Sequence, residues 1–376
     1  MMRLKTARVW RALLAGVAFA GGGMASVPTL AAPPPSADKF FALERDVPLG
    51  PKIDRFDYQS LDTSSGRLFI SGMSIGKLLV FDTRTNKLIT ELNGYPQVTG
   101  VLAVPELHKV YASVPGDGVG ALVSAASGMA GIGSGGGQVV ILDSNTLHEI
   151  ARVPGGVFPN GITYDPDDRT IFVTDEFGKG VTIIDGEADR TIGRIELGGL
   201  VGNVQYDPIT KRVYAAVKNT NELVAIDPRS HAVAARYRLN GGRHPHGVAI
   251  SPGSALAFVA CDEDDRLLVV ALDTGRVLDS VPIAHRPDVL AIDPALRRLY
   301  LASESGALSV LDIKDAASPV VIATFPYAEN AHSVGVDPNS HRVFLPLRNV
   351  DGRAVLRILQ PKTASGASKG AALHVR

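Results

Sequence analysis

The chain has 376 residues, of which 45% are hydrophobic and 20% charged, and its 38 basic side chains are balanced by 38 acidic ones. A chain of this length can bury one large core, whereas a formal net charge of zero gives no overall attraction to nucleic acid or to an anionic membrane. The single cysteine, Cys261, excludes an intrachain disulfide, so the fold must be stabilised by packing.

The first 32 residues have the pattern of a secretory signal peptide. Four basic residues up to Arg11 precede an apolar run at residues 12–20, and small residues follow as far as Ala32. The run is short for a membrane span, and the rest of the sequence contains no other candidate. We therefore expect a cleaved signal at residues 1–32, a periplasmic or secreted protein, and no membrane span after cleavage. An uncleaved N-terminal anchor is the alternative.

One sequence unit then recurs seven times. The turns of the clearest copies are Asp-Pro pairs, and the seven turn origins are residues 62, 104, 165, 207, 251, 293 and 337. The residue seven positions after each origin is aromatic: Phe69, Tyr111, Phe172, Tyr214, Phe258, Tyr300 and Phe344. Aromatic residues make up only 6% of the chain, so this recurrence is a true repeat. Successive origins are separated by 42, 61, 42, 44, 42 and 44 residues, which indicates one insertion.

Each complete unit contains four short runs rich in Val, Ile, Leu, Tyr and Phe, separated by Asp-Pro, Gly and Asn turns. Seven such units predict an all-β, seven-bladed β-propeller of four-stranded antiparallel blades at residues 39–361, followed by a disordered tail at residues 362–376. The seventh copy ends near Leu359 and lacks its outer strand. We expect the N-terminal segment at residues 41–49 to supply that strand and to close the ring.

The repeat also resembles a known family. The strand sequences FVTD at residues 172–175 and YLAS at residues 300–303, with strand starts such as NGIT at residues 160–163, resemble the YVTN-repeat β-propeller family, which includes lactonase-like propellers. The likeness covers about residues 39–361 and implies an exported seven-bladed propeller. The repeated motif is structural, so the resemblance does not identify an activity.

The repeat register predicts which side chains surround the mouth of the central channel. Five residues before each origin the sequence places Asp57, Thr99, Asn160, Gly202, His246, Asp288 and His332. Eleven residues after each origin it places Met73, Pro115, Glu176, Lys218, Asp262, Glu304 and Arg348. Because neighbouring antiparallel strands pair at the same height, we expect both sets at the channel mouth.

Three of these positions, in consecutive blades, carry His246, Asp288 and His332. Two imidazoles and a carboxylate suit one divalent ion such as zinc, manganese or iron, with Glu304 and Glu176 as further oxygen ligands. The same three side chains suit proton transfer, so they are also the predicted catalytic residues. The predicted substrate-binding residues are Asp57, Asn160, Lys218 and Arg348. The competing interpretation is that a water-filled channel mouth simply tolerates polar side chains.

Two further segments have alternative interpretations. The glycine-rich insertion at about residues 115–137 lies between the second and third strands of the second unit, where it would act either as a lid over a ligand or as a surface loop. The acidic turn at residues 261–265 lacks the spacing of a calcium loop and is interpreted as solvated. Cys261 has no basic neighbour in the sequence that would activate its thiol.

Two classes of function fit the sequence. The first is an enzyme, a metal-assisted lactonase-like hydrolase or a lyase, that acts on a small molecule at the channel mouth. The second is a non-catalytic periplasmic propeller that binds a ligand or a partner protein, and a monomer is expected in either case. The sequence contains no phosphate-binding loop, nucleophile elbow, Cys-x-x-Cys motif or basic stripe, so no nucleic-acid partner is expected.

Overall fold

Twenty-eight β-strands make up the fold in a computed structural model, which describes residues 36–116, 135–329 and 331–362. The predicted signal peptide, most of the glycine-rich insertion and the predicted tail after Lys362 lie outside the described residues. The strands form seven antiparallel sheets of four, as the repeat predicted. The innermost strand of each sheet contacts those of its two neighbours, which closes the ring.

The blades are numbered in chain order, and their strands run from the channel outward. Blade 1 contains β2 (Gln59–Asp62), β3 (Arg67–Gly72), β4 (Lys77–Asp82) and β5 (Lys87–Asn93), and blade 2 contains β6 (Val101–Val104), β7 (Lys109–Val114), β8 (Gly137–Asp143) and β9 (Glu149–Gly156). Blade 3 contains β10 (Pro159–Asp165), β11 (Thr170–Asp175), β12 (Gly180–Asp185) and β13 (Arg190–Glu196), and blade 4 contains β14 (Val201–Asp207), β15 (Arg212–Val217), β16 (Glu222–Asp227) and β17 (Ala232–Arg238).

The remaining blades follow the same order. Blade 5 contains β18 (Pro245–Ile250), β19 (Leu256–Cys261), β20 (Arg266–Ala271) and β21 (Val277–Pro282), and blade 6 contains β22 (Pro287–Asp293), β23 (Arg298–Ser303), β24 (Ala307–Asp312) and β25 (Val320–Pro326). Blade 7 contains β26 (Gly335–Val336), β27 (Val343–Val350), β28 (Arg353–Pro361) and, outermost, β1 (Phe41–Pro51). Three short 3₁₀ helices lie at Ala37–Lys39, Met73–Ile75 and Pro105–Leu107.

The core lies between the blades. The two middle strands of a blade are buried on both faces, and this explains their nearly continuous apolar sequence, whereas outer strands such as β13 and β17 alternate between exposed and less exposed residues. The seven aromatic side chains that mark the repeat are all fully buried. Phe172, for example, lies in one buried cluster with Val204 and Val213 of the next blade. Burying one such side chain contributes about 1.5–3 kcal/mol, so the repeated aromatic residue stabilises each contact between blades.

The N-terminal strand closes the ring, which confirms the prediction. β1 pairs antiparallel with β28 from Phe41 opposite Pro361 to Pro51 opposite Arg353. The guanidinium of Arg357 donates two hydrogen bonds, of 2.8 and 2.6 Å, to the carboxylate of Asp46 across this pairing. The fourth strand of blade 7 is thus supplied by the opposite end of the chain. No helix among the described residues is long and apolar enough to cross a membrane.

Candidate functional site

A cavity of about 280 Å³ opens at the channel mouth and is called the mouth cavity below. Within each of blades 3, 4, 5 and 6, one backbone hydrogen bond joins the end of the second strand to the residue before the innermost strand. The amides of Glu176, Lys218, Asp262 and Glu304, at the ends of the second strands, donate to the carbonyls of Phe158, Leu200, His244 and Arg286, with N···O distances of 2.8–3.2 Å. Each acceptor lies just before an innermost strand. The two predicted sets of mouth residues are therefore held at the same level.

Most of the predicted site residues line this cavity. Asp57, Asn160, Glu176, Lys218, His246, Asp288 and Glu304 all contribute to its wall. His332 lies behind the wall, with 1% of its side chain exposed, against Asp288 and Glu304. Arg348 is placed elsewhere, because its guanidinium pairs with the exposed carboxylate of Glu329.

Asp288, Glu304 and His332 form a cluster in which one ligand atom from each residue lies within 4.8 Å of the others. Nδ1 of His332 lies 3.4 Å from an oxygen of Asp288 and 3.8 Å from an oxygen of Glu304. The other oxygen of Asp288 lies 3.3 Å from Nε2 of His246. Asp288 is thus in contact with both histidines.

The hydrogen bonds of His332 fix which ring nitrogen faces the cluster. Nε2 donates a hydrogen bond of 2.6 Å to the carbonyl oxygen of Phe56, so Nδ1 is the nitrogen directed at the carboxylates. Nδ1 is buried and has no hydrogen-bond partner among the described residues. Burial alone would lower the pKa of His332, but its contact with Glu304 and the negative charge of Asp288 outweigh burial and raise the pKa. This environment attracts positive charge to Nδ1, either a proton or a metal ion.

Two arginines also contact Glu304, and one of them, Arg55, does so at the oxygen that faces His332. Both terminal nitrogens of Arg55 lie 3.3 Å from one carboxylate oxygen, and Arg286 pairs with the other oxygen. Contact with His332, followed by the charges of Arg55 and Arg286, outweighs burial and lowers the pKa of Glu304 to about 2. Glu304 is therefore ionised at any physiological pH.

Asp57 is the carboxyl group with the opposite behaviour. It is 7% exposed, and burial raises its pKa to about 6, although Arg55 and His332 act against the increase. Beside it, the hydroxyl of Tyr58 is buried without a partner in the described structure, and burial next to Asp288 and Asp57 raises its pKa well above the usual value. Tyr58 therefore keeps its proton and can donate a hydrogen bond, while Asp57 can exchange a proton near neutral pH.

A second histidine–carboxylate contact stands next to the cluster. Nδ1 of His244 lies 2.5 Å from one oxygen of Asp262, and Nδ1 of His246 lies 3.7 Å from the other. These contacts with the two histidines outweigh burial and lower the pKa of Asp262. The side chains of His244, Asp262, His246, Asp288 and His332 thus form a continuous series across blades 5, 6 and 7.

Glu176 lies apart from this series. Its carboxylate accepts a hydrogen bond of 2.7 Å from Lys218 and one of 3.2 Å from the amide nitrogen of Asn160. Burial raises its pKa, but the charges of Lys218 and His246 outweigh that effect and give a net decrease. The amide oxygen of Asn160 is buried, and the described residues offer it no hydrogen-bond donor. This wall of the cavity can therefore accept a hydrogen bond from a ligand.

Sequence reasoning missed Arg55, Tyr58, Phe158 and Arg286, which also line the cavity. A signal was present for three of them, because Arg55, Phe158 and Arg286 stand seven residues before their turn origins, as His244 does. Side chains two positions apart on an extended strand point the same way, so this set accompanies the set five residues before the origins.

In total, the cavity wall in the described structure contains five carboxylates and three Lys or Arg side chains. The excess of negative charge suits a bound cation.

A family model and a curated relative each match less than a third of this chain. A family model described as Arylesterase matches residues 131–239, which include Asn160, Glu176 and Lys218 but not the histidine–carboxylate cluster. A curated seven-bladed beta-propeller protein from Mycobacterium tuberculosis is 27% identical over 110 residues. That match covers 29% of this chain and spans only 28% of the relative's length.

Solved structures with the same fold have unrelated roles. A chain of hydrazine synthase from Kuenenia stuttgartiensis superposes with a TM-score of 0.65 at 18% identity and covers 84% of this chain and 97% of that one. For a chain of the mitotic checkpoint complex, the TM-score is 0.69, the identity 13% and the coverage 91% and 98%. For streptogramin B lyase the TM-score is 0.67 and the identity 13%, and the alignment covers 87% of this chain and 100% of that one. At these identities the likeness establishes the fold alone.

Proposed function

We propose that this chain, a seven-bladed β-propeller protein, hydrolyses an ester or lactone bond of a small molecule in its mouth cavity. One observation carries the proposal. The buried His332 presents an unpartnered Nδ1 to Asp288 and Glu304, and His246 contacts the same Asp288 from the cavity side. The match of residues 131–239 to the Arylesterase model supports a hydrolytic reaction of this class.

The donor set of the cluster fits one divalent metal ion. An imidazole nitrogen and two carboxylates are the ligands that zinc, manganese and iron share, and the hydrogen bond to Phe56 holds the imidazole as a metal-bound histidine is usually held. Asp288, Glu304 and His332 would hold the ion, and His246 borders the same position. When bound, such an ion would polarise the substrate carbonyl and acidify a water molecule.

The residues of the chain supply the proton transfers. His246 lies on the cavity wall between Asp262 and Asp288, and these carboxylates orient its ring for the role of general base. It takes a proton from water as the water oxygen bonds to the carbonyl carbon. The carbon–oxygen bond to the leaving group then breaks, and the leaving oxygen receives that proton. An ester gives an acid and an alcohol, whereas a lactone opens to a hydroxy acid.

Polar groups that blades 1, 3 and 4 contribute to the cavity wall bind and orient the substrate. Tyr58 offers a hydroxyl donor, Asn160 an amide oxygen, and Lys218 a cation that is only 6% exposed. These groups are fixed before the substrate arrives, because Lys218 and Asn160 are both bonded to Glu176. Orientation of the carbonyl relative to His246 is the contribution expected from such a wall.

Hydrolysis of a panel of phenyl and alkyl esters and five- and six-membered lactones, followed by pH-stat with and without EDTA, tests the proposal. We expect turnover that requires Mn²⁺ or Zn²⁺, and a loss of about 100-fold or more in kcat/KM for Asp288→Asn and His246→Gln. The matched control is Glu187→Gln, which removes an exposed carboxylate that pairs with Arg169 outside the cavity wall and should leave kcat/KM unchanged.

Calorimetric titration with Mn²⁺ separates metal binding from catalysis. We expect one ion per chain, and at least a tenfold weaker affinity in Glu304→Gln and His332→Asn. A wild-type protein that turns over none of the panel, or variants as active as the wild type, would refute the hydrolase proposal and leave the non-catalytic binding propeller as the explanation of the site.

We also propose that the reaction takes place in the periplasm or outside the cell. This rests on the signal peptide predicted at residues 1–32. Fractionation of cells that express the full chain, with N-terminal sequencing of the recovered protein, tests it, and a chain recovered only from the cytoplasm would contradict it.

A further inference from the structure

A second cavity, of about 340 Å³, lies between blades 3 and 4 and is called the turn cavity below. The turn between β10 and β11 lines it. In an antiparallel blade this turn stands at the opposite end of the strands from the mouth residues, so the turn cavity opens on the other face of the propeller. It has no part in the chemistry proposed above.

The wall of the turn cavity in the described structure contains four carboxylates and three cationic side chains. Each cation is paired with one carboxylate: Lys211 with Asp167 at 2.7 Å, Arg212 with Asp227 at 3.4 Å, and Arg229 with Asp168 at 3.4 Å. The fourth carboxylate belongs to Asp165, which is 0% exposed. Its Oδ1 accepts a hydrogen bond from the amide of Asp167, whereas Oδ2 is buried and finds no partner among the described residues. The cavity therefore lacks one positive charge.

The other blades show how this oxygen is usually satisfied. In three of them a Ser or Thr hydroxyl three residues further on donates to Oδ2 of the turn aspartate at 2.6–2.7 Å, namely at Asp62, Asp207 and Asp337. In blade 6, Oδ2 of Asp293 instead contacts Nδ1 of His341 at 2.8 Å. Blade 3 carries Asp168 three residues after Asp165, and an ionised carboxylate has no proton to donate.

The surroundings of Asp165 do not replace the missing donor. The hydroxyl of Tyr206 lies beside it, but its single hydrogen is donated to Asp167 at 3.1 Å. Burial raises the pKa of Asp165, and the negative charges of Asp168 and Asp167 add to the increase, although hydrogen bonding by the Asp167 amide and by Tyr206 acts against it. A cation at Oδ2 would relieve this unfavourable environment.

A basic side chain is also missing at this boundary between blades. Five residues after the turn origin, five of the seven blades carry Arg or Lys: Arg67, Lys109, Arg212, Arg298 and Arg342. Three of these donate to the carbonyl that directly follows the third strand of the next blade, at Ser144, Gly186 and Thr83. Blade 3 carries the short, uncharged Thr170 instead, and the equivalent carbonyl belongs to Pro228, which lines the turn cavity.

Blade 7 shows which group would fit. A terminal nitrogen of Arg342 lies 3.8 Å from Oδ2 of its own turn aspartate, Asp337, and donates a 2.7 Å hydrogen bond to the carbonyl of Thr83 in blade 1. One planar guanidinium thus serves a turn carboxylate and the carbonyl of the next blade. A metal ion fits less well, because the described residues place three metal-ligating groups together only at Asp288, Glu304 and His332.

We propose that the turn cavity binds one guanidinium group from outside the chain, which contacts Asp165 and the carbonyl of Pro228 in place of the missing basic side chain. The group belongs either to a free small molecule or to an arginine side chain of a partner protein. This site is independent of the proposed hydrolysis, since none of its residues lines the mouth cavity.

Calorimetric titration at low ionic strength tests the site with two probes of nearly equal shape, Nα-acetyl-L-arginine methylamide and the uncharged Nα-acetyl-L-citrulline methylamide. We expect the wild type to bind the arginine probe at millimolar concentration and the citrulline probe at least tenfold more weakly. Asp165→Asn should weaken binding of the arginine probe by at least tenfold. The matched control is Asp62→Asn, which removes the same charge from the fully bonded turn of blade 1 and should change the affinity less than about twofold.

Thr170→Arg provides a second test that leaves Asp165 in place. The new side chain restores the basic residue of the other blades, so we expect it to raise the melting temperature and to weaken the arginine probe by at least tenfold. Thr170→Val, which has nearly the same shape, should do neither. A wild type that binds neither probe, or both equally, would overturn the site, as would unchanged binding of the arginine probe in Asp165→Asn and Thr170→Arg.

Titration with methylguanidinium distinguishes the two sources of the group. Affinity equal to that of the arginine probe would retain the site and indicate a free small molecule. Affinity at least tenfold weaker would retain it and indicate the arginine side chain of a partner, because the peptide groups then contribute to binding. Each outcome is independent of whether the protein turns over any ester, so failure of the hydrolase leaves this test unaffected.

Discussion

Nε2 of His332 donates a 2.6 Å hydrogen bond to the carbonyl oxygen of Phe56, and this bond joins the loop before the last innermost strand to the loop before the first. The same imidazole presents its other nitrogen to Asp288 and Glu304. A residue of the candidate site is therefore also a structural link across the point where the ring closes. Substitutions of His332 should affect both stability and ligand binding.

We expect His332→Ala to lower the free energy of unfolding by about 1–3 kcal/mol, because the buried carbonyl of Phe56 would lose its hydrogen-bond donor. Urea unfolding of metal-free protein measures the change. The control is His285→Ala, which removes a largely exposed histidine bonded to Asp265 and should cost less than about 0.5 kcal/mol. Equal losses in the two variants would show that the bond to Phe56 contributes nothing specific.

Asp57→Asn should stabilise the protein at neutral pH. The pKa of Asp57 is about 6 in the fold and 3.8 in the unfolded chain. The free energy of unfolding is therefore not reduced by Asp57 below about pH 4, and it falls as the pH rises from 4 through 6. The difference in pKa corresponds to about 3 kcal/mol at pH 7. Urea unfolding at pH 7 and at pH 3.5, in EDTA, should show a gain for the variant at pH 7 that is absent at pH 3.5. A gain of equal size at both pH values would contradict the assigned pKa.

Asp175→Asn should destabilise the fold by about 2–4 kcal/mol, since it leaves Arg194 without its buried partner and weakens the contacts with the amides of Val157 and Phe158. Thermal and urea unfolding measure the loss. Glu196→Gln serves as the control, because it removes the exposed second partner of the same arginine and should change stability by less than about 0.5 kcal/mol. A mild effect of Asp175→Asn would mean that the backbone around Phe158 and Gly178 is held by packing alone.

Two leucines on β1 allow the contribution of side-chain burial to ring closure to be measured apart from that of strand pairing. Leu49 is 1% exposed, whereas Leu43 on the same strand is 58% exposed. We expect Leu49→Ala to cost about 2–5 kcal/mol and Leu43→Ala less than about 0.5 kcal/mol. Urea unfolding of both variants, followed by circular dichroism, makes the comparison. Similar costs would indicate that β1 does not pack onto the propeller as described.

The sequence repeat was sufficient to predict seven blades, their four-stranded composition and the closure by the N-terminal segment. The reason is physical: each blade buries the same aromatic position, so the register of every strand follows from one residue. The same register identified which positions face the channel mouth, including His246 and Asp288. Contacts along one blade are thus encoded locally.

Pairings between blades are not encoded in this way, and here the sequence was insufficient. Glu176 bonds to Lys218 of the next blade, and Arg55 of blade 1 reaches Glu304 of blade 6. Both contacts depend on the closed ring. Arg348 occupies a mouth position by register, yet its side chain turns to Glu329 because a nearby carboxylate offers a partner outside the cavity.

The pairing of β1 with β28 also determines when the ring can close as the chain is synthesised. Phe41 pairs with Pro361, near the other end of the described chain. A chain that is still being synthesised therefore cannot close the ring until β28 is available. Loop closure over such a length is entropically unfavourable and follows local strand formation. The bond between His332 and Phe56 forms across the same seam. Closure of the ring and the contact between His332 and Phe56 therefore depend on the same last blade, and a truncated product with six blades would lack His332 and part of the candidate site.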